Sequence, residues 1–220
     1  MDEFLHPSPG VDCDAPEIIK LAESLTRDAK SRRDAASTLF RYVRDTYKYI
    51  PYAPFDRLEE YEGRALMRRG YGFCTQKSSL LVALARATGI PARFHFADLK
   101  NHNLPGKLGE VLQSDLMIYH TYAELFLDNK WLKATPSFEK ELCEKMGWRL
   151  VDFDGTRDAV LALTDLSGRP HIEYLRDLGT RTFIPLEEMI AAWKKHYGEG
   201  ILERWNKASR TVQELLNQRA

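Results

Sequence analysis

The sequence predicts a mixed helix-and-strand domain, helical at both ends and built around antiparallel strands in the middle. Three observations predict it. Helical periodicity fills residues 14–47 and 185–218. Alternation appears at Ala92–Asp98, and Leu116–Leu127 reads as a second strand. The dipeptide Asp128-Asn129 then separates Leu116–Leu127 from Lys130–Ala134, as a two-residue hairpin turn requires.

The elements follow in order. Residues 1–13 read as an extended lead-in. Asp14-Ala15-Pro16-Glu17 is a helix start, with Asp14 as the expected cap and Ile18, Leu21, Ala22, Leu25 and Ala29 as one apolar stripe. Ser31-Arg32-Arg33-Asp34 opens a second helix that carries Leu39, Phe40, Val43 and Tyr47. Tyr49–Pro54 is extended, because each proline biases its predecessor away from helix. A helix over Glu59–Arg69 leads to the Gly70/Gly72 hinge. Next comes a helix from about Cys74, with Leu80, Leu81, Ala83, Leu84 and Ala87 on it, stopped at Gly89-Ile90-Pro91. Residues 99–114 have no steady period and read as an irregular excursion suited to a lid. Arg149–Phe153 and His171–Tyr174 are expected as further strands, and Pro185–Tyr197 and Glu199–Gln218 as helices.

Composition excludes several classes of function. The 220 residues carry 32 Lys or Arg against 32 Asp or Glu, so no basic surface marks a nucleic-acid or acidic-membrane binder. No apolar run approaches the roughly 20 residues that a membrane span needs. The start MDEFLHPSPG has neither basic charge nor an apolar run, so no signal peptide is expected. Three scattered cysteines, Cys13, Cys74 and Cys143, form neither a disulfide framework nor a metal clamp. A reducing, cytoplasmic setting is expected, with no metal and no cofactor.

Cys74 is the candidate nucleophile. It falls where a loop becomes a helix, and the unpaired N–H groups of a first helical turn favour an anion there. Such a position is expected to lower the thiol pKa. The hairpin supplies its candidate partner. If Leu127 pairs with Lys130, Glu124 faces Lys133, Tyr122 faces Thr135 and His120 faces Ser137, all on one face of the sheet. A cysteine at a helix start, a histidine on one strand and a polar residue on the next suit acyl transfer. The rival reading makes Cys74 a small buried residue and His120 a core histidine. Other residues are weighed the same way. His95 reads as structural or rim-exposed, and a zinc site of His95, His102 and His120 matches no recurrent ligand spacing. Glu124 and Lys133 are expected as a cross-strand ion pair. Tyr49 is a candidate oxyanion donor, and Gln76 and Lys77 are candidates to line the cleft. Lys194, Lys195, Arg204, Lys207 and Arg210 read as a solvated helix face.

Two segments resemble a known family. GYGFCTQKSSLLVALARATGIPAR, residues 70–93, is similar to the nucleophile segment of the transglutaminase-like superfamily. YHTYAELFLDNKWLKATPSF, residues 119–138, is similar to its His-x-aromatic-x-Glu strand, tight turn and tryptophan. FRYVRDTYKYIPY, residues 40–52, resembles its preceding helix and strand more loosely. The resemblance implies an α+β, papain-like fold with an antiparallel sheet against the nucleophile helix. One domain spans residues 1–220, with a core of about 36–175 and helical additions at 14–35 and 185–218. It also implies a Cys–His–Asp triad acting on amide or ester carbonyls of a peptide, protein or small amide. Cys74 falls on the nucleophile, His120 on the base and Thr135 on the third position, where the family places an aspartate. Asp152, Asp154 and Asp158 are candidates to replace that carboxylate. Without one, the fold could serve as a binding or scaffold module.

Overall fold

The computed structural model describes residues 1–104 and 107–218, with the backbone alone at Asn217. Pro105 and Gly106, part of the expected excursion, lie outside the described residues. Among those described are eight α-helices and a four-stranded antiparallel sheet.

The N-terminal pair is α1 (Pro16–Thr26) and α2 (Arg32–Thr46). Asp14 does not cap α1. Pro16 takes the first helical position and forces its predecessor to be extended, so Ala15 (φ −66°, ψ 134°) becomes the cap residue. The helix ends at Thr26, short of Ala29. Ser31 does cap α2, accepting from the Asp34 N–H at 3.2 Å.

The helix expected over Glu59–Arg69 is divided. A 3-10 turn at Leu58–Tyr61 gives way at Glu62 (φ −59°, ψ 144°) to α3 (Gly63–Arg69). The buried Asp12 carboxylate, from the lead-in, accepts from Gly63 N–H at 2.7 Å and from Arg64 N–H at 3.2 Å. Glycine lets Gly63 pack closely here, since a Cβ would stand 2.8 Å from the Ile18 side chain and 2.9 Å from that of Leu80 and displace them. The two-residue strands β1 (Lys48–Tyr49) and β2 (Tyr71–Gly72) pair in parallel and frame the next helix.

That helix is α4 (Cys74–Ala87), and every residue from Cys74 to Arg86 is buried. A helix buried all round must be enclosed by other elements. Here α1, α2 and α3 lie against it on one side and the sheet on another. It stops at Gly89 (φ +75°), as the sequence predicts.

The main sheet has the order β5-β4-β3-β6, from β3 (Ala92–Asn101), β4 (Leu116–Leu127), β5 (Lys130–Ala134) and β6 (Ile172–Arg181). Leu127 pairs with Lys130 across the Asp128-Asn129 turn, whose two residues both have positive φ. The predicted register therefore holds, but only as far as Ala123 opposite Ala134. Beyond it, Pro136 has no N–H to give, and Thr135 N–H donates to Ala159 O at 2.9 Å. Tyr122 with Thr135 and His120 with Ser137 are thus not ladder pairs.

Residues 149–153 form no strand. They run along α2, where Asp152 binds Arg41 (2.7 Å) and Arg44 (3.0 Å). The strand expected at 171–174 is the longer β6. Between β3 and β4 lies the short α5 (Leu108–Leu112), and after the hairpin α6 (Lys140–Met146). The chain closes with α7 (Leu186–Tyr197) and α8 (Ile201–Asn217). Among the described residues no helix is long and apolar enough to cross a membrane.

Candidate active site

Cys74 is the first residue of α4 and His120 lies on β4, and both line one cavity of ≈ 30 Å³. Their immediate neighbours in sequence hold the two elements together there. Thr75 Oγ1 and Thr121 Oγ1 are 2.9 Å apart, and Ser78 Oγ donates to the Thr121 carbonyl at 3.2 Å. All three side chains are buried. Sequence reasoning missed this clasp, although small hydroxyl residues next to each candidate were visible. A bulge precedes His120: Tyr119 has φ +60°, and the β3–β4 register shifts between Ala97 and Leu99. Bulges re-aim side chains beside sites. Asp98 Oδ1 pins this one by accepting from Tyr119 N–H at 3.0 Å.

The electrostatics differ from expectation. The thiol of Cys74 is pushed up from its ordinary range by burial, which outweighs hydrogen bonding from Thr121 and Thr75. The helix terminus alone would lower it, but that effect is weaker than removal of water. His120 is pushed down to about 3, also by burial. The resting pair is therefore a neutral thiol and a neutral imidazole.

Neither ring nitrogen of His120 has a hydrogen-bond partner, and nor does Thr135 Oγ1 or Ser137 Oγ, although all are buried. The expected Thr135–imidazole contact is not made, because β5 has already turned toward Ala159. No carboxylate takes that place. Asp152 serves Arg41 and Arg44, Asp154 serves Thr156, and Asp158 accepts from Lys133 N–H at 3.0 Å.

His95 has what His120 lacks. Its Nδ1 lies 2.6 Å from Glu124 Oε1, its Nε2 lies 2.8 Å from Asp177 Oδ1, and its ring stacks on Tyr122 at 4.8 Å. Those carboxylates raise its pKa against the opposing effect of burial, so it is the structural histidine. Glu124 sits opposite Lys133 in register but binds Arg93 at 2.7 Å and His95 instead. Lys133 Nζ is left over the Tyr122 ring, at 5.7 Å. The expected Glu124–Lys133 pair is therefore replaced. His102 faces Glu173 at 3.4 Å, and no group of three or more ligating side chains stands ready for a metal among the described residues.

The other candidates divide. Tyr49 lines the cavity, with its ring edge-on to Phe138 at 4.7 Å. Gln76 does not: it is buried, accepting from Phe73 N–H at 3.4 Å and donating to Pro54 O at 2.6 Å. It supports the start of α4. Lys77 is also buried, and its ammonium caps the end of α2 through Arg44 O (2.9 Å) and Tyr47 O (2.7 Å). The surprise is the roof. Trp193 and Tyr197 of α7 and Trp205 of α8 line the cavity with Leu108 and Leu112 of α5. Aromatic residues spaced i, i+4 on a tail helix were the available signal. Arg204, expected on a solvated face, instead donates to Val111 O (2.8 Å) and Tyr197 O (2.7 Å).

The model of the transglutaminase-like superfamily matches residues 19–136, more than half of the chain, and spans Cys74, His120 and Thr135. The chain belongs to the transglutaminase-like superfamily. No curated protein matches it significantly. Among solved structures, a candidate cysteine protease from Cytophaga hutchinsonii is similar at 15% identity and a TM-score of 0.49, covering 81% of this chain and 53% of that one. The periplasmic domain of TgpA from Pseudomonas aeruginosa is similar at 18% identity and a TM-score of 0.43, covering 60% and 45%. A candidate protease from Parabacteroides distasonis is similar at 18% identity and a TM-score of 0.39, covering 55% and 23%. This transglutaminase-like chain thus spans about half the length, or less, of these proteins.

Proposed function

We propose that this transglutaminase-like protein performs cysteine-dependent acyl transfer on an amide or ester carbonyl, with Cys74 as nucleophile and His120 as base. The observation that carries the reading is the imidazole of His120, buried with both nitrogens unpartnered in the wall of the cavity that Cys74 also lines. Such a group costs about 1–3 kcal/mol; His171 is buried and unpartnered in the same way, and what sets His120 apart is the cavity it shares with Cys74. Unpartnered polar groups of this kind concentrate where chemistry is done.

From a neutral pair, the proton leaves sulfur as the carbonyl is attacked. His120 takes it, the Cys74 backbone N–H at the helix start donates to the oxyanion, and the leaving amine or alcohol takes the proton back. Water or a second amine then releases the acyl group. Tyr49, which lines the same cavity, serves in this reading as a second donor to the oxyanion. The substrate is a peptide, protein or small amide. A cytoplasmic setting is supported by three buried free thiols. The test is labelling with a panel of acyl electrophiles and mapping of the modified residue. Modification at Cys74, reduced about 10²–10⁴-fold in His120→Ala, is expected. Equal modification of Cys13 and Cys143, or indifference to His120, would refute it.

One observation favours a second reading. Without a carboxylate on His120, imidazolium is poorly stabilised, which suits a binding module on the same fold. Cys74→Ser separates the two: the binding module keeps its biological activity and the enzyme loses it while remaining folded.

A further inference from the structure

The cavity that Cys74 and His120 both line measures ≈ 30 Å³, room for a few waters at most and too little for an amide with its flanking groups. Acyl transfer therefore requires some wall to move, and the walls differ in how firmly they are held. Three of them belong to the body of the protein. Of the remaining ones, α7 is tightly fixed: Trp193 Nε1 donates to Ile118 O at 2.9 Å, and the Tyr197 hydroxyl donates to Leu116 O at 2.9 Å and accepts from Ile118 N–H at 2.7 Å. Met189 is fully buried beneath it.

α8 is held lightly. Along Ile201–Asn217 only Ile201, Trp205 and Ser209 are buried among the side chains described, while Glu203, Lys207, Arg210 and Glu214 face solvent. Its polar ties are Arg204 to Val111 O and Tyr197 O, Gln213 accepting from the Tyr71 hydroxyl at 2.9 Å, and Asn206 donating to Asp56 at 3.4 Å. Its connection to α7 is Gly198-Glu199-Gly200, and Gly198 has φ +85° with open space around it. Trp205 is the stopper. Its ring packs against Phe55 (4.9 Å), Phe73 (5.7 Å) and Trp193 (5.4 Å), yet its buried indole N–H has no acceptor. A buried Trp normally finds a partner for that group. This one fits an aromatic cradle by shape alone, and the cradle begins at Phe73, the residue before Cys74.

We infer that α8 is a lid hinged at Gly198–Gly200, and that Trp205 fills the subsite where an aromatic or large apolar substrate side chain binds next to the scissile carbonyl. The inference rests on the acyl-transfer reading for the word substrate. The lid itself is independent of it. A substrate side chain and Trp205 compete for one cradle, so opening exposes the thiol and the subsite together.

The experiment uses the full chain and reads alkylation of Cys74 by mass spectrometry, with iodoacetamide and N-benzyliodoacetamide as probes. Arg204→Ala removes two of these ties without entering the cavity. Relative to the unaltered chain, it is expected to speed alkylation by iodoacetamide about tenfold, a shift of the closed–open equilibrium. In the opened variant the benzyl reagent is expected to outpace iodoacetamide about tenfold at Cys74, and to lose that advantage at Cys74 in the urea-unfolded chain. Hydrogen exchange on the unaltered chain gives a second measure: amides of α8 should exchange at least about 100-fold faster than those of α4. Equal protection of α8 and α4, or a Cys74 already as reactive as in urea, would overturn the lid. No preference for the benzyl reagent would overturn the subsite. Rapid alkylation of Cys74 in Arg204→Ala together with indifference to His120→Ala would instead remove the acyl-transfer reading and leave the lid standing.

Discussion

His120 and His95 lie one strand apart and are both buried, yet they titrate in opposite directions. Two carboxylates hold His95 in its protonated form, while burial alone holds His120 neutral down to about pH 3. A base whose folded pKa falls below its unfolded value, about 6.5, leaves the unfolded chain binding the extra proton. Stability is then complete above pH 6.5 and is lost as the pH falls toward 3. At pH 5 the loss from this residue is about 2 kcal/mol. Urea melts should therefore show His120→Leu matching the parent at pH 7 and exceeding it by about that amount at pH 5. A second expectation concerns Cys74. Its raised pKa means that iodoacetamide alkylation of the native chain climbs through pH 9 with no plateau near neutrality. A plateau between pH 6 and 7 would show a thiolate–imidazolium pair instead. Lys77 carries a third. Burial lowers its pKa to about 7, so stability rises as the pH climbs from 7 toward 10.5. Lys77→Met should flatten that rise and cost about 1–3 kcal/mol at pH 9 by orphaning two carbonyls, as thermal melts at several pH values will show.

At the scale of elements, the crossing of α4 and β4 matters most. The Thr75–Thr121 hydroxyl pair sets how the helix start meets the strand, and it places Cys74 and His120 around one cavity. Thr121→Val should cost about 1–2 kcal/mol, because Thr75 is left with a buried unpaired hydroxyl. It should also slow electrophile labelling of Cys74 more than the loss of stability accounts for. Legibility in the sequence varied by element. The β4–β5 hairpin was readable to its register, since Asp128-Asn129 accepts left-handed backbone and the alternation on either side admits one pairing. The stop at Gly89 was readable for the same local reason. The break at Glu62 was not, because its cause is Asp12, fifty residues earlier in the chain. Residues 149–153 misled because a β-rich composition records preference for a half-buried surface, and the surface they found was α2.

The whole molecule arranges a continuous buried cluster around α4, from Val11 in the lead-in to Trp205 in the final helix. Closing that cluster also closes the candidate site. That Cys74 and His120 share one cavity was legible from residue types and the hairpin, whereas Thr135 standing where the family places an aspartate came from the resemblance. The family and its α+β fold were legible too, since an alanine- and leucine-rich helix after a glycine-flanked cysteine is a local pattern. Which carboxylate serves which base was decided only in three dimensions. Arg41 and Arg44, Thr156 and Lys133 claimed the three aspartates that sequence left open, and Lys77 proved to be a helix cap. The same holds for the roof of the cavity. Periodicity tells which face of α7 and α8 is apolar, because it depends on neighbours three and four residues away. It carries no information on what that face covers. That is settled by packing between distant segments, where shape, desolvation and competing partners decide together.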